Sequence, residues 1–164
     1  MHSSLGARTA MLVVAAAVVL TACGSSGSAA TSRQDDVAAK GAMVMPFDQK
    51  LTTHVFRATA TGGVQRVVAK DLGDNEQISL IRSHLGEEAK RFAAGDFSDP
   101  MAIHGMKMPG LAALRRGFAA VDVRYSSLPD GARIIYTTKD SDLIAALHEW
   151  FDAQLMDHGA NAHG

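Results

Sequence analysis

One short segment of the sequence carries an imidazole and two thioethers close together. His104 is followed by Met106 and Met108, and Gly105 and Gly110 leave the backbone free to turn these side chains towards a common point. Soft thioether sulfur selects Cu(I), whereas imidazole accepts copper, zinc, iron or nickel. The segment therefore predicts a copper site on a loop. The alternative for the same residues is structural, with the methionines filling the core and His104 hydrogen-bonded to a carbonyl group.

Four further histidines form a pool of candidate ligands. His54 lies in a predicted strand, and His84 and His148 lie at the borders of the apolar stripes of two predicted helices. His158 falls in the last turn of the second of these helices. A four-coordinate ion has no room for the whole pool. The histidine nearest the end of the chain, His163, lies in a predicted disordered tail.

Carboxylates stand one helical turn after two of these histidines. Glu88 follows His84 by four residues, and Asp152 follows His148 in the same way, so each pair shares a helix face. Metal-bound imidazoles commonly donate their second N–H to a carboxylate, and the spacing fits that arrangement. A structural interpretation is also open, because border histidines often only cap or cover a helix; at a helix end, His158 would complement the dipole.

Zinc and haem iron are less favoured cofactors than copper. Thiolate, the usual zinc ligand, is not available, because Cys23 is the only cysteine and we expect it to be acylated. A His/Met or His/His pair could hold haem axially, but the sequence has no Cys-x-x-Cys-His attachment motif. Met43 and Met45 could add thioethers, although flexible methionines are often hydrophobic filler.

Nucleophilic catalysis finds little support in the residues. There is no Gly-x-Ser-x-Gly elbow, and Ser126 and Ser127 have no evident base beside them. A hydrolase would have to be metal-assisted, with histidines as ligands and Glu88 or Asp152 as the general base. Gly62 and Gly63 belong to a hairpin and not to a phosphate-binding loop before a helix. We therefore predict no catalytic residue and lean towards a protein that is not an enzyme.

The first 22 residues predict a lipoprotein signal peptide. Arg8 precedes an apolar run over residues 11–20, which is too short to span a bilayer comfortably, since spanning takes about 20 apolar residues. Leu20, Thr21 and Ala22 then lead to Cys23, an arrangement that resembles the bacterial lipobox. That resemblance implies cleavage before Cys23 and acylation of the cysteine with palmitate or a similar chain. Two or more acyl chains give stable anchoring, so we expect an extracytoplasmic protein tethered to the cell membrane or the outer membrane.

Composition divides the rest of the chain into a linker, one domain and a tail. Residues 23–46 are rich in Ser, Gly and Ala and have no aromatic side chain, which predicts a flexible linker. Residues 47–158 contain every aromatic residue and form the predicted single domain, and residues 159–164 form the tail. The chain has 16 basic and 17 acidic residues, so its net charge does not predict the basic surface by which nucleic-acid-binding proteins neutralise phosphates. The protein partner stays unknown.

The changes in hydrophobic period predict an α+β fold. Hairpins are expected over residues 54–69, with a turn at Gly62 and Gly63, and over 121–138. Asp74 and Asp140 mark the starts of helices over about 75–94 and 141–156, and a short helix is expected over 110–118. Two units of hairpin plus helix then form a four-stranded antiparallel sheet with helices packed on one face.

The domain resembles a family of small bacterial proteins, many of which are labelled aspartate carbamoyltransferase. Carbamoyl transfer needs a Ser-Thr-Arg-Thr type loop for carbamoyl phosphate and a second domain that closes over aspartate, and this chain has neither. The resemblance implies that the histidine positions of the pool recur, as does Met108, whereas Met106 varies. It implies the same recurrence for His104, and it therefore favours Met108 over Met106 as the thioether ligand beside His104. The matching segments are MPFDQ (45–49), TTHVF (52–56), GGVQ (62–65), GDFSDP (95–100), IHG (103–105), MPGL (108–111), LPDGA (128–132), ALHEWFDAQ (146–154) and DHG (157–159).

The sequence as a whole predicts an anchored lipoprotein whose domain binds a transition metal for storage, transfer or sensing. The predicted metal ligands are His104 and Met108, followed by His54, His84, His148 and His158. The alternative from a different class is a cell-envelope interaction module that has structural histidines and no ligand.

Overall fold

The computed structural model describes residues 25–164, with side chains from residue 29 onward. The predicted signal peptide and Cys23 lie outside the described residues. No helix in the described part of the chain is both long and apolar enough to cross a bilayer. The helices are α1 (Ser25–Val44), α2 (Asn75–Ala93), α3 (Ser98–His104), α4 (Leu111–Gly117) and α5 (Ser141–His158). The strands are β1 (Thr52–Thr59), β2 (Gly62–Ala69), β3 (Asp122–Leu128), β4 (Gly131–Thr137) and β5 (Ala162–His163).

The strands form one open mixed sheet in the order β3-β4-β2-β1-β5. The hairpins β1–β2 and β3–β4 are antiparallel, as predicted, and an antiparallel pairing of β2 with β4 joins them. The prediction of four antiparallel strands is wrong in one respect, because β5 adds a fifth strand that runs parallel to β1. Gly159, with φ of 53°, ends α5 and turns the chain back towards β1, where Ala162 is buried beside His54. The predicted disorder of the tail and of His163 is therefore wrong as well.

Helices α2 and α5 cover one face of this sheet. The carboxylates of Asp74 and Asp140 accept hydrogen bonds from the first-turn amides of the two helices, as predicted. The helices contact four strands between them, α2 on β2, β3 and β4 and α5 on β1 and β2. The core between the layers is aromatic, and its central side chain, Trp150, is 1% exposed. Trp150 makes ring contacts with Phe92, Phe97, Tyr136 and Phe151.

The segment predicted to be a flexible linker forms helix α1 instead. Val37, at 1% exposed, is buried like the residues of the central core, and α1 packs against α3 and α5. The side chain of Gln34 also donates to the carbonyl of Met156 near the end of α5. The linker prediction is wrong because a helix with few apolar residues is still stabilised when those few find a tertiary partner.

Helix α3 occupies a segment that the sequence predicts to be a loop. Gly95, with φ of 79°, ends α2, and the carboxylate of Asp96 then accepts a hydrogen bond from the amide of Ser98 at the start of α3. Pro100 lies in the first turn of α3, where a missing N–H costs nothing. The Gly and Pro residues that indicate a break therefore both end one helix and start the next. The short helix α3 thereby fixes the position of His104, which is its last residue.

Candidate functional site

Four histidines from four different elements surround one cavity of about 50 Å³. They are His54 of β1, His84 of α2, His104 of α3 and His158 of α5. Since a cavity needs roughly 10–15 Å³ to hold one water molecule, this cavity has room for an ion or a few waters. It has no room for a porphyrin, so haem does not fit. The other lining residues are Met45, Phe56, Gln65, Glu88, Phe92, Asp99, Pro100, Ile103, Trp150 and Gln154.

Local backbone structure explains why these side chains meet. His54 lies between the buried residues Thr52 and Phe56 on the inward face of β1, as strand alternation requires. His104 and His158 are each the last residue of a helix and are each followed by a glycine with positive φ. A His-Gly pair that recurs at the ends of α3 and α5 is thus a sequence signal for this cavity.

Three of the imidazole rings are in contact. The rings of His54 and His158 are stacked, with centroids 4.7 Å apart and planes inclined by 9°. The ring of His104 meets His158 edge-on, at 5.2 Å and 73°. The ring of Phe47 contacts both His54 and His84, with centroid distances of 6.0 Å and 5.6 Å. Phe47 therefore lies between His84 and the stacked pair of His54 and His158.

A carboxylate that the sequence analysis missed orients His104. Oδ2 of Asp157 lies 2.8 Å from Nδ1 of His104, and both groups are buried. Arg33 of α1 donates two hydrogen bonds of 2.6 Å to the same carboxylate and a third, of 3.1 Å, to the carbonyl of His104. Because an ionised carboxylate only accepts, Nδ1 carries the proton and the lone pair of Nε2 is free. Burial raises the pKa of Asp157, but hydrogen bonds from Arg33 and His104 outweigh burial and hold that pKa below its usual value.

The imidazoles of the cavity are uncharged at neutral pH. Burial lowers the pKa of His54 well below its usual value, and the neighbouring His158 lowers it further. Burial lowers the pKa of His158 to about 4, and it also lowers the pKa of His84. Burial lowers the pKa of His104 despite the opposing hydrogen bond with Asp157. Metal ligation requires neutral imidazole, so no proton has to be displaced from these rings.

A pair of carboxyl groups completes the polar lining. Burial, with the neighbouring carboxyl group of Asp99 acting in the same direction, raises the pKa of Glu88 to about 8. Glu88 is therefore protonated at neutral pH, and the neighbouring Asp99 pairs with Arg91 at 2.8 Å. The i, i+4 spacing places Glu88 in the cavity of His84, as predicted. The corresponding Asp152 is exposed and does not line the cavity.

Several buried polar atoms at this cavity lack a partner. Nδ1 of His54, Nε1 of Trp150 and Oε1 of Gln154 have no hydrogen bond to any described residue, and all three residues line the cavity. A buried polar atom without a partner costs about 1–3 kcal/mol. Most such atoms in folded proteins are paired with protein or with bound water. Three unsatisfied polar groups therefore belong to residues around one small cavity.

Two of the predicted ligands, Met108 and His148, lie elsewhere in the fold. Met108 is 5% exposed and packs in the core without lining the cavity, while Met106 is 75% exposed. The pairing of His104 with Met108 is therefore not found in this arrangement, because α3 turns His104 inward and the chain after Gly105 leads away. Nε2 of His148 lies 3.0 Å from the carbonyls of Thr59 and Gly62 and ties α5 to the first hairpin.

The donor atoms are close but not yet arranged as a coordination sphere. Within residues 25–164, no group of three His, Cys, Asp or Glu side chains is arranged to hold a metal ion. The stacking of His54 on His158 is the physical reason, since parallel rings direct their in-plane lone pairs side by side and not at one point. Comparison with protein-family models, curated proteins and solved structures finds no match to this chain.

Proposed function

We propose that the domain binds a transition-metal ion, copper before zinc, in the cavity of His54, His84, His104 and His158, and holds it for storage, transfer or sensing. The observation that carries the proposal is the set of four imidazoles from β1, α2, α3 and α5 around one small cavity. The carboxylate of Asp157 on Nδ1 of His104 supports it, because such a carboxylate typically fixes the tautomer of a metal-bound histidine.

Copper is favoured over zinc by the donor set. Met45 lines the cavity, so a thioether is available beside the imidazoles, and thioether sulfur selects Cu(I). No thiolate is present, since Cys23 is the only cysteine and precedes the domain. For imidazole sites, divalent copper also outranks zinc in intrinsic affinity. Ligation needs one ring of the stacked His54–His158 pair to rotate, and we expect the metal to induce that rotation.

The proposed location of this metal site is the outer side of a membrane. The lipobox-like segment ending at Cys23 supports an acyl anchor on that residue, and α1 begins two residues later. Helix α1 supplies Arg33, which holds Asp157 and through it His104. The anchor and the site would thus be joined by a single helix.

The test is metal binding by a chain that begins at Ser25, made without a histidine tag. This chain keeps α1 and the whole core. We expect one copper per chain, a rise in Tm on loading by mass action, and nitrogen hyperfine structure in the electron paramagnetic resonance spectrum of the Cu(II) form. His104→Gln and His158→Gln should abolish stoichiometric binding.

Two histidines outside the cavity provide matched controls. His163→Gln should bind copper as the parent does, because His163 is exposed on β5. His148→Gln should lower Tm through its lost carbonyl contacts while leaving copper affinity unchanged. The proposal is overturned if the parent chain binds no stoichiometric metal, or if His163→Gln weakens binding as much as His104→Gln does.

A metal-assisted hydrolase is a second candidate, supported by the carboxyl group of Glu88 in the same cavity. Because Glu88 is protonated at neutral pH, it would serve as a general acid and not as the general base expected from sequence. A cavity of about 50 Å³ admits only a few atoms of a substrate, which favours holding a metal over catalysis. Hydrolysis of an activated ester by the metal-loaded domain, lost in Glu88→Gln with metal retained, would select the hydrolase.

A further inference from the structure

Within residues 25–164, no helix packs on the face of the sheet that points away from α2 and α5. Strand alternation places Phe56, Val67, Ile134 and Tyr136 inward, where all four are buried. Their neighbours along each strand point outward, and every outward side chain of β1 to β4 is half-buried or exposed. This outer face therefore meets solvent along its whole width.

Four arginines cross this outer face in one continuous row. Arg66 of β2 and Arg133 of β4 are direct cross-strand partners. Arg57 of β1 pairs with Val64, which makes it the diagonal neighbour of Arg66. Arg124 of β3 pairs with Ile135 and is in the same way diagonal to Arg133. Direct partners have Cβ atoms about 5 Å apart and diagonal partners about 7–8 Å, so adjacent guanidinium groups are within reach of one shared anion.

The charges of this arginine row are only partly compensated within the protein. Arg124 pairs with Asp122 at 2.6 Å, and Arg66 approaches Asp130 at 3.8 Å. Neither Arg57 nor Arg133 has a carboxylate partner among the described residues. Nε of Arg66 is buried and has no hydrogen-bond acceptor there. Like charges directly opposite on a sheet destabilise it, so the row is a surface that gains stability when an anion covers it.

Aliphatic side chains lie beside the arginines of this row on the same outer face. Val55 and Val64 lie beside it on β1 and β2, and Val68 and Ile135 continue the apolar surface on β2 and β4, all half-buried. The outward positions of these strands carry no aromatic side chain on which a nucleic-acid base could stack. Guanidinium groups bind phosphate oxygens in bidentate fashion, and apolar side chains beside basic ones are typical of surfaces that lie on lipid headgroups.

We propose that this outer face of the sheet lies on an anionic phospholipid bilayer, with the arginine row on headgroup phosphates and the aliphatic side chains against the acyl boundary. The proposal is independent of the metal site. The anchor proposed at Cys23 would add to it by holding the face near the bilayer at high effective concentration. Because the whole chain has a formal net charge of only −1, the local row and not the overall charge would set the orientation.

The experiment uses the chain from Ser25, which lacks any acyl group, with vesicles of phosphatidylcholine or of phosphatidylcholine mixed with phosphatidylglycerol. We expect cosedimentation with the mixed vesicles only, weakened by salt. Arg57→Gln/Arg133→Gln should reduce vesicle affinity about thirty-fold, from about 1 kcal/mol for each arginine at an anionic surface. The matched control is Arg115→Gln/Arg116→Gln, which removes the same charge from exposed positions on α4 and should change affinity less than two-fold.

The outcomes separate the lipid from other polyanions. An equal loss in the α4 control would show that only net charge matters and would overturn the assignment of the face. Tighter binding to polyglutamate or to duplex DNA than to the mixed vesicles would overturn the lipid as occupant. Tm of both double variants, equal to that of the parent within a few degrees, confirms that the comparison is between folded proteins.

Discussion

Nδ1 of His104 and Oδ2 of Asp157 lie 2.8 Å apart although 53 residues separate them in sequence. The same carboxylate takes two hydrogen bonds from Arg33, so α1, α3 and α5 meet at one ion pair whose carboxylate is buried and whose guanidinium is half exposed. The pair gives a physical reason for ordering the segment after Cys23, since a carboxylate at this depth needs a cationic partner. It also makes the geometry of the cavity dependent on α1.

Removal of the carboxylate charge should weaken the metal site. We expect Asp157→Asn to lower copper affinity about 10–100-fold, the usual cost of losing the carboxylate behind a ligating imidazole. It should also lower Tm, because Arg33 loses its ion pair. Asp152→Asn is the control, since Asp152 lies on the same helix but is exposed. Isothermal titration with a competing chelator gives both affinities, and equal affinities for the two variants would show that Asp157 does not orient a ligand.

The buried carboxyl of Glu88 should make stability depend on pH. Its folded pKa of about 8 lies above the ordinary 4.5, so the folded protein holds a proton that the unfolded chain releases within this interval. The free energy of unfolding should therefore fall as pH rises from about 4.5 to 8 and then level off. Protonation of His158 also lowers the free energy of unfolding, but at lower pH, between its ordinary pKa of 6.5 and its folded pKa of about 4. Above pH 6.5 the decline therefore comes from Glu88 and not from His158.

Urea unfolding of the metal-free protein between pH 6.5 and 9 measures this slope. Glu88→Gln should abolish it, since an amide does not titrate. Glu87→Gln, at the adjacent exposed position, should leave it unchanged, because the pKa of Glu87 is lowered by its hydrogen bond with Lys90 and lies outside the interval. A slope that persists in Glu88→Gln would mean that another group titrates in this range.

The parts of the fold that the sequence predicts well are those decided by local contacts. Helix α2 follows from the cap at Asp74 and from an apolar stripe that is buried throughout. Helix α1 and strand β5 escape prediction because a few tertiary contacts decide them, those of Val37 and Arg33 in α1 and of Ala162 in β5. Such contacts join residues far apart in sequence, and no periodic pattern reports them.

The candidate site shows the same division. Residue type alone selects the histidines, but only the fold separates the four at the cavity from His148, which binds two carbonyls. Asp157 was missed because its role depends on Arg33, which belongs to the predicted linker. The first hairpin was predicted, yet its glycines were misread. The turn lies before Gly62, and both glycines belong to β2.

The two methionines near the histidines should behave differently. Met45 lines the cavity and Met108 does not, so Met45→Leu should weaken Cu(I) binding more than Zn(II) binding, while Met108→Leu should weaken neither. Met108→Ala should lower the free energy of unfolding by about 2–5 kcal/mol, as expected for a buried side chain truncated to alanine. Titration with both metals and urea unfolding test the three variants, and weaker copper binding by Met108→Leu would restore Met108 as a ligand.

The glycines of β2 and α2 should respond in opposite ways to a single methyl group. A Cβ on Gly63 would overlap the ring of Phe151, which is 1% exposed and has no space to move, so Gly63→Ala should lower the free energy of unfolding by about 1–3 kcal/mol. A Cβ on Gly86 would come no nearer than 3.9 Å to Tyr125, and alanine is the better helix former. Gly86→Ala should therefore raise stability by about 0.5–1 kcal/mol. If urea unfolding gives the two variants the same sign, the packing of α5 on β2 described above is wrong.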